Sequence, residues 1–529
     1  MADTGGDRSG FVSTTTSAAL EEKAKLQQHF GRFDMFFYLI CTLVGIEALG
    51  TVAGYGWEGL LLLVIMALTF FIPYALSISE LGSTFTEEGG PYVWTRMAFG
   101  RFWGSLNAVL YWISNPIWMG GILALTVITG FGASFADIGS PGNTSVWYWL
   151  VGLAFIWFAT LAAILSFGIG KWIPTIGAIS RLVLMPFFAL TVIKYGIDHG
   201  FNTPSLGTFV PDSGHLWWLL FVGAAPLLFF NLVGFELPSS AGDEMKDAQR
   251  DVPFAILRSA GVSLALYGIP TACILLVLPG AALSGASGFI DAIRASLTAW
   301  GGSVDYVTGK DGVDVVVHYT AFTQFLAWMM GAMFVWTVVS SGATWIMGAD
   351  RALAISCIDG CGPRFLGRFS SRFGTPVNVN LLSGLISSLF FILATNLADS
   401  SAFAVVLSMA TLTTVISYVL IFPALLKLRK SHGHVHRPFR VPGGNRGVLI
   451  VGVLTTAWAV FATAANLWPY DPVGGYGVSR TEFELWVGGV LGFIAVLGVA
   501  FYYLGAETRS HLVDVPLEGE HVEAGAFGD

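Results

Sequence analysis

Charge is scarce in this chain. Asp, Glu, Lys and Arg make up 11% of its 529 residues, where a soluble domain carries about 25%. A chain so poor in charge cannot dress a water-facing surface of its own size, which excludes a soluble enzyme or binding domain. Cysteine is scarce too. Cys41, Cys273, Cys357 and Cys361 are scattered and make no disulfide framework. Cys357 and Cys361 lie close together, but no second pair completes a zinc site. The nine histidines, His29, His199, His215, His318, His432, His434, His436, His511 and His521, all fall in connecting stretches, at their edges or in tails. With neither an HExxH nor a GxSxG motif, a membrane-embedded hydrolase has no machinery here. The repeated pore loop and charge rings of a channel are missing as well. The first 32 residues hold no apolar run of the kind a cleaved signal peptide needs. No metal, cofactor or nucleic-acid partner is indicated. His432, His434 and His436 alternate in a basic loop, which reads more simply as a solvated stretch near acidic lipid headgroups than as a metal site.

What the chain has in plenty is apolar length. Hydrophobic residues make up 54%, and mean hydropathy is +0.70. Windows of about 20 apolar residues, the length that crosses a bilayer, predict twelve spans. Their approximate limits are 33–55, 57–80, 104–133, 146–168, 172–198, 214–238, 253–280, 320–349, 376–397, 400–427, 447–467 and 484–505. Twelve crossings put both ends on one side. Of the 26 Lys and Arg, Lys194, Arg294, Lys310 and Arg480 fall on the other side and Arg181 within a span. The remaining 21, Arg8 among them, share the side of the termini, which the positive-inside rule makes cytoplasmic. Residues 1–32 and 506–529 are then flexible cytoplasmic tails. The outer loop 281–319, with Asp291, Asp305, Asp311 and Asp314, is expected to carry a short helix over 287–299 that caps the mouth.

Only three charges lie at membrane depth: Glu47 in span 1, Arg181 in span 5 and Glu236 in span 6. Each is costly in lipid, so each is expected to face protein or a wet cavity. Span 1 holds Gly45, Gly50, Gly54 and Gly56 around Glu47 and Thr51. Span 6 holds Asn231, Gly234, Glu236 and Pro238. Two interrupted segments at matching places in two halves mark a transporter site. Spans 1–5 (33–198) and 6–10 (214–427) then form a five-plus-five repeat. Five is odd, so the second half enters inverted, and spans 11 and 12 (447–505) are appended. Span 3 adds Asn115-Pro116, a polar residue beside a helix breaker; an inward functional face and a tolerated kink both fit it.

Three further motifs carry a family resemblance. Asn231-Leu-Val-Gly-Phe-Glu236 with Gly242-Asp-Glu-Met-Lys-Asp-Ala-Gln-Arg-Asp-Val-Pro253 resembles the sixth-span signature of the amino acid–polyamine–organocation transporter superfamily. Glu80-Leu-Gly with Glu88-Gly-Gly-Pro-Tyr92 resembles its loop after span 2. Gly348-Ala-Asp-Arg351 with Asp359-Gly360 and Gly374-Thr-Pro376 resembles its loop after span 8. The resemblance implies an all-α bundle with spans 1 and 6 unwound, at Gly50-Thr51-Val52 and over Asn231–Gly234. It implies a substrate held by freed backbone groups, with walls expected from Tyr111, Asn115, Trp118, Phe230, Val233 and Phe235. It implies an α-amino acid permease of the plasma membrane, or in the alternative a carrier of polyamines or other organic cations. Sodium-coupled relatives hold the ion between spans 1 and 8, where Ser340 and Ser341 could supply hydroxyls. Arg181 stands about where sodium-independent relatives carry a lysine, so proton coupling or exchange is expected. A proton would then travel on Glu47 or Glu236, because arginine keeps its own. Glu47 is the expected partner of Arg181; the alternative is an arginine that snorkels to the interface.

Overall fold

The computed structural model describes residues 12–26, 28–165, 170–204, 214–279, 288–309, 312–396, 400–467 and 479–516. Arg8, Lys310, Asp311, His521 and the ends of both tails lie outside them.

In chain order the helices are α1 (Ser17–Lys23), α2 (Arg32–Leu43), α3 (Leu49–Gly54), α4 (Gly56–Thr84), α5 (Pro91–Phe99), α6 (Arg101–Ser134), α7 (Val146–Ile164) and α8 (Trp172–His199). They continue as α9 (Gly214–Asn231), α10 (Ala248–Val277), α11 (Gly288–Leu297), α12 (Ala321–Cys361), α13 (Val377–Asn396), α14 (Ser400–Ser431), α15 (Gly444–Leu467) and α16 (Arg480–Leu504). Among the described residues, ten are long and apolar enough to cross a membrane: α4, α6, α7, α8, α10 and α12 to α16. The protein is therefore a multi-pass membrane protein. Two expected spans stand outside that set, 33–55 and 214–238, and both are interrupted.

Several spans begin where a hydroxyl can take an orphan N–H. Ser145 accepts from Tyr148, Thr320 from Thr323 and Ser479 from Glu482, as helix starts require. Apolar side chains then point outward as well as inward. On α16, Leu485, Phe493 and Val496 are 70%, 67% and 68% exposed, which costs nothing where the surroundings are lipid. Inside, glycine lets backbones meet. A Cβ on Gly120 would sit 1.9 Å from the Ser387 carbonyl oxygen of α13. Gly120 lies in a π turn, Met119–Leu123, that follows Pro116 and lets α6 run on past the proline.

On one face α11 lies buried against α3, α8 and α10, as expected for the outer loop. A hairpin that the sequence reading did not foresee follows it, Gly302–Gly309 paired with Gly312–Tyr319. On the opposite face the expected flexible tails are in part ordered. Val12–Thr16 pairs antiparallel with Leu512–Pro516, and Thr15 Oγ1 donates to Asp359 at 3.2 Å. The tail sequences are polar, but the β-branched residues of Val12-Ser-Thr-Thr-Thr16 and of Leu512-Val-Asp-Val-Pro516 suit a pair of strands.

Candidate functional site: two helix breaks around a buried cavity

The break in the first span is not at Gly50-Thr51-Val52. Those three residues sit in α3, a regular turn and a half, and Gly50 packs against Gly288 at the start of α11. The chain leaves the helix earlier: α2 ends at Leu43, Val44 turns away (φ −97°, ψ 84°), and Ile46–Ala48 makes one 3₁₀ turn. In the sixth span α9 ends at Asn231 and Gly234 takes φ +132°, a conformation open to glycine and hostile to a side chain. A Cβ there would also meet the Thr42 methyl at 2.6 Å. The two breaks share four residues of five, Leu43-Val-Gly-Ile-Glu47 and Leu232-Val-Gly-Phe-Glu236. That internal repeat is the signal that would have placed the first break correctly.

A tyrosine hydroxyl serves each break. Tyr267 Oη, from α10, accepts from Gly45 N at 3.0 Å and lies 2.7 Å from both the Leu43 and the Asn231 carbonyl oxygens. Tyr74 Oη, from α4, accepts from Gly234 N at 2.8 Å and Phe235 N at 2.9 Å, and donates to Glu236. Glu236 is fully buried and receives two more phenols, Tyr111 at 2.8 Å and Tyr418 at 2.6 Å. It is thus satisfied by three neutral donors. Tyr111, expected on the substrate wall, serves Glu236 instead. Phe235 packs on Phe71 and Tyr74.

Between the breaks lies a cavity of about 20 Å³, room for roughly one water. Of the residues expected from sequence, Glu47, Asn115, Trp118, Phe230, Asn231 and Val233 line it; Thr42, Gly45, Tyr267 and Trp345 were not foreseen. The walls are aromatic: Trp118 meets Phe230 and Trp345 edge to face, each at 6.1 Å between centroids. Three buried polar atoms of the lining have no hydrogen-bond partner among the described residues: Glu47 Oε2, Asn231 Nδ2 and Trp118 Nε1. Native proteins seldom leave such groups unpaired, so the cavity offers one acidic acceptor and two neutral donors.

Arg181, fully buried on α8, does not pair with Glu47. Its Nε donates to the Val44 carbonyl at 2.9 Å. Its terminal nitrogens reach the carbonyls of Gly177 (2.9 Å) and Thr337 (2.7 Å) and the hydroxyls of Ser340 (3.2 Å) and Ser341 (2.5 Å). The expectation failed because the break lies upstream of Glu47. Unwinding at Val44 frees a carbonyl on the α8 side, while Glu47 lines the cavity. Nor does Arg181 snorkel to the interface. Ser340 and Ser341 hold the guanidinium.

A family model described as amino acid permease matches residues 30–496. The chain belongs to this family. Relatives include a probable agmatine/putrescine antiporter of Lactococcus lactis, 27% identical over 436 residues that cover 80% of this chain and 84% of that one. An uncharacterized transporter of Legionella pneumophila is 27% identical over 477 residues, 88% of this chain and 95% of the relative. One of Mycobacterium bovis is 26% identical over 366 residues, 68% and 73% of the two chains.

In this permease the loop motifs assemble a closing layer on the face that carries the termini. Arg351 pairs with Glu244 at 2.8 Å and stands 3.8 Å from Glu88. Lys23 of α1 reaches Asp243 at 3.3 Å and Glu87 at 3.9 Å. Glu80 takes Arg429 and Arg437, at 2.6 and 3.2 Å. Asp359 takes Arg96 and Arg101, at 2.7 and 3.3 Å. Asp350 faces the other way and is held by Trp112, Asn380 and Ser383.

The layer is expected to respond to pH. Burial pushes the Glu88 carboxyl well above the ordinary range, helped by the Glu244 and Asp243 charges and opposed by Arg351 and Lys23. Burial raises Glu244 too, against the pull of Arg351. A carboxyl whose pKa rises on folding holds its proton more tightly when folded. Its contribution is complete below the unfolded value, about 4.3 for Glu, and is lost as pH climbs through the folded one. The melting temperature of the purified permease is therefore expected to fall as pH rises from that range, and Glu88→Gln to flatten the slope. An unchanged slope in the variant would remove Glu88 as its source.

Proposed function

We propose that this permease is a secondary active transporter that moves an α-amino acid across the plasma membrane by alternating access, with both termini in the cytoplasm. The observation that carries the reading is the Glu47 carboxylate oxygen left open in an aromatic cavity where two broken helices meet. An ammonium group satisfies that oxygen and lies well against the faces of Trp118, Phe230 and Trp345. Asn231 Nδ2 and Trp118 Nε1 are the free donors that a substrate carboxylate would use. The repeated pentapeptide at both breaks supports a twelve-span bundle built from two inverted halves, with the site on the axis between them. A cavity with room for about one water suits the closed stage of the cycle, so loading requires the two halves to part.

Coupling is proposed to be sodium-independent, by protons or exchange. The support is Arg181, whose permanent charge occupies the oxygen-rich position between α2 and α12 and repels a second cation.

A second reading, a carrier of polyamines or other amines, has its own support. Three of the backbone N–H groups at the breaks, those of Gly45, Gly234 and Phe235, are already taken by Tyr267 and Tyr74, and among the described residues Glu47 is the only charged group in the lining. A relative is also named as an agmatine/putrescine antiporter. Uptake of labelled substrates into proteoliposomes separates the readings. Amino acids are expected to be transported and to compete with one another, with no change when choline replaces sodium. Competition by putrescine and agmatine alone would favour the second reading, and a strict sodium requirement would defeat the coupling proposal.

A further inference from the structure

The carbonyl ends of two half-helices converge on a single phenol. Leu43 is the last residue of α2 and Asn231 the last of α9. Their carbonyl oxygens each lie 2.7 Å from Tyr267 Oη, while Gly45 N donates to the same oxygen at 3.0 Å. A hydroxyl has one proton. It can serve Leu43 or Asn231 fully, or be shared between them, so at any moment the two carbonyls have less than two full hydrogen bonds between them. Both carbonyls sit at the negative ends of helix dipoles. Tyr267, Leu43 and Asn231 all line the cavity that holds the open Glu47 oxygen. The place is short of positive hydrogen, and a cation with several N–H groups would relieve it.

We propose that Tyr267 is a specificity-determining and positioning residue that stands in for the substrate's ammonium group when the site is unloaded. The proposal deepens the transporter reading given above and rests on it. An incoming ammonium brings three N–H donors, enough for both carbonyls and for Glu47, and takes over the bonds of the phenol. On release the phenol returns to the carbonyls and competes with the leaving cation. The hydroxyl thus weakens ground-state binding and speeds turnover. Because its three partners lie at both helix breaks, it also keeps α2 and α9 in register while no substrate is bound. A small neutral solute without N–H donors has nothing to offer the two carbonyls and does not displace it. The site thereby selects for primary ammonium over neutral molecules of similar size.

The test compares wild type with Tyr267→Phe in proteoliposomes and in detergent, using alanine, arginine and putrescine as probes. Losing one neutral hydrogen bond to a competitor corresponds to a change of roughly 2- to 12-fold. Tyr267→Phe is expected to bind the transported probe tighter by that factor and to turn over more slowly, so that KM and kcat fall together. A merely structural role would instead weaken binding. Should Tyr267→Phe not fold, 3-fluorotyrosine placed at 267 keeps the ring and hydroxyl and makes the phenol a stronger donor, and it is expected to shift affinity the opposite way. Wild type that binds a probe while the folded variant shows equal or weaker binding, or the fluorinated protein shows equal or tighter binding, overturns this proposal alone. Wild type that binds none of the three overturns it together with the transporter reading.

Discussion

Glu47→Gln is expected to lower uptake roughly 30-fold to several thousandfold while the protein still inserts and runs as a single species on size exclusion. Truncating one member of a desolvated charge pair costs about 2–5 kcal/mol, and each 1.4 kcal/mol is a factor of about ten. Here the pair forms only when substrate arrives, because no donor among the described residues meets Oε2. The whole cost therefore falls on transport rather than on folding. Glutamine keeps the size and one carbonyl oxygen, so the cavity keeps its shape. The neighbouring packing is tight enough to make size matter: a Cβ on Gly45 would stand 2.7 Å from Glu47 Oε1. Glu236→Gln makes the informative contrast. That carboxylate is saturated by Tyr74, Tyr111 and Tyr418, so its loss disturbs three buried phenols and the sixth-span break. It should therefore cost thermal stability as well as uptake. Equal uptake by Glu47→Gln and wild type would end the assignment of Glu47 as the ammonium acceptor.

Much of the membrane architecture was legible in the sequence because apolar length is written residue by residue: the ten long helices fall where the hydropathy windows put them. The interrupted spans were legible as well, since glycine and glutamate together make little sense in lipid. The position of the first break was not. The family resemblance pointed to Gly50–Val52, whereas the repeated Leu-Val-Gly-x-Glu at 43–47 and 232–236 marks the turn at Val44 and Gly45. The two signals compete within seven residues, and hydropathy cannot arbitrate between them. The tyrosines were hidden for a different reason. Tyr74, Tyr267 and Tyr418 lie in apolar runs where a phenol reads as one more aromatic, and only the fold shows that their hydroxyls converge on breaks and carboxylates from distant helices. The loop acids and arginines were read as family motifs. What they do, closing the face of the termini in interlocking pairs, depends on which loops meet in space.

Arg181→Leu is expected to abolish recovery of folded protein, and Arg181→Lys to retain it in reduced yield. The usual expectation for a buried charge runs the other way, since replacing a whole buried ion pair by apolar residues is often neutral or stabilising. That holds when every partner is replaced. Here the partners are backbone carbonyls of Val44, Gly177 and Thr337 and the hydroxyls of Ser340 and Ser341, and the carbonyls cannot be mutated away. The Gly177 carbonyl and the hydroxyls can turn to bonds within their own helices, as Ser340 already does toward Thr337 at 2.9 Å. The Val44 carbonyl has left its helix and has no such recourse. Each buried polar group stranded in this way costs about 1–3 kcal/mol. Stranding the Val44 carbonyl, and leaving the Thr337 carbonyl with Ser340 alone, takes about 2–6 of the 5–15 kcal/mol that a folded protein has in hand. The loss is also placed where it does most harm, since Arg181 joins α2, α8 and α12 at the level of the first break. Lysine keeps the charge and three donors but not the planar fork, so it can hold two or three of the five oxygens. Size-exclusion profiles of detergent extracts decide the matter: a monodisperse, fully yielded Arg181→Leu would show that the guanidinium is not what holds the broken first span to its neighbours.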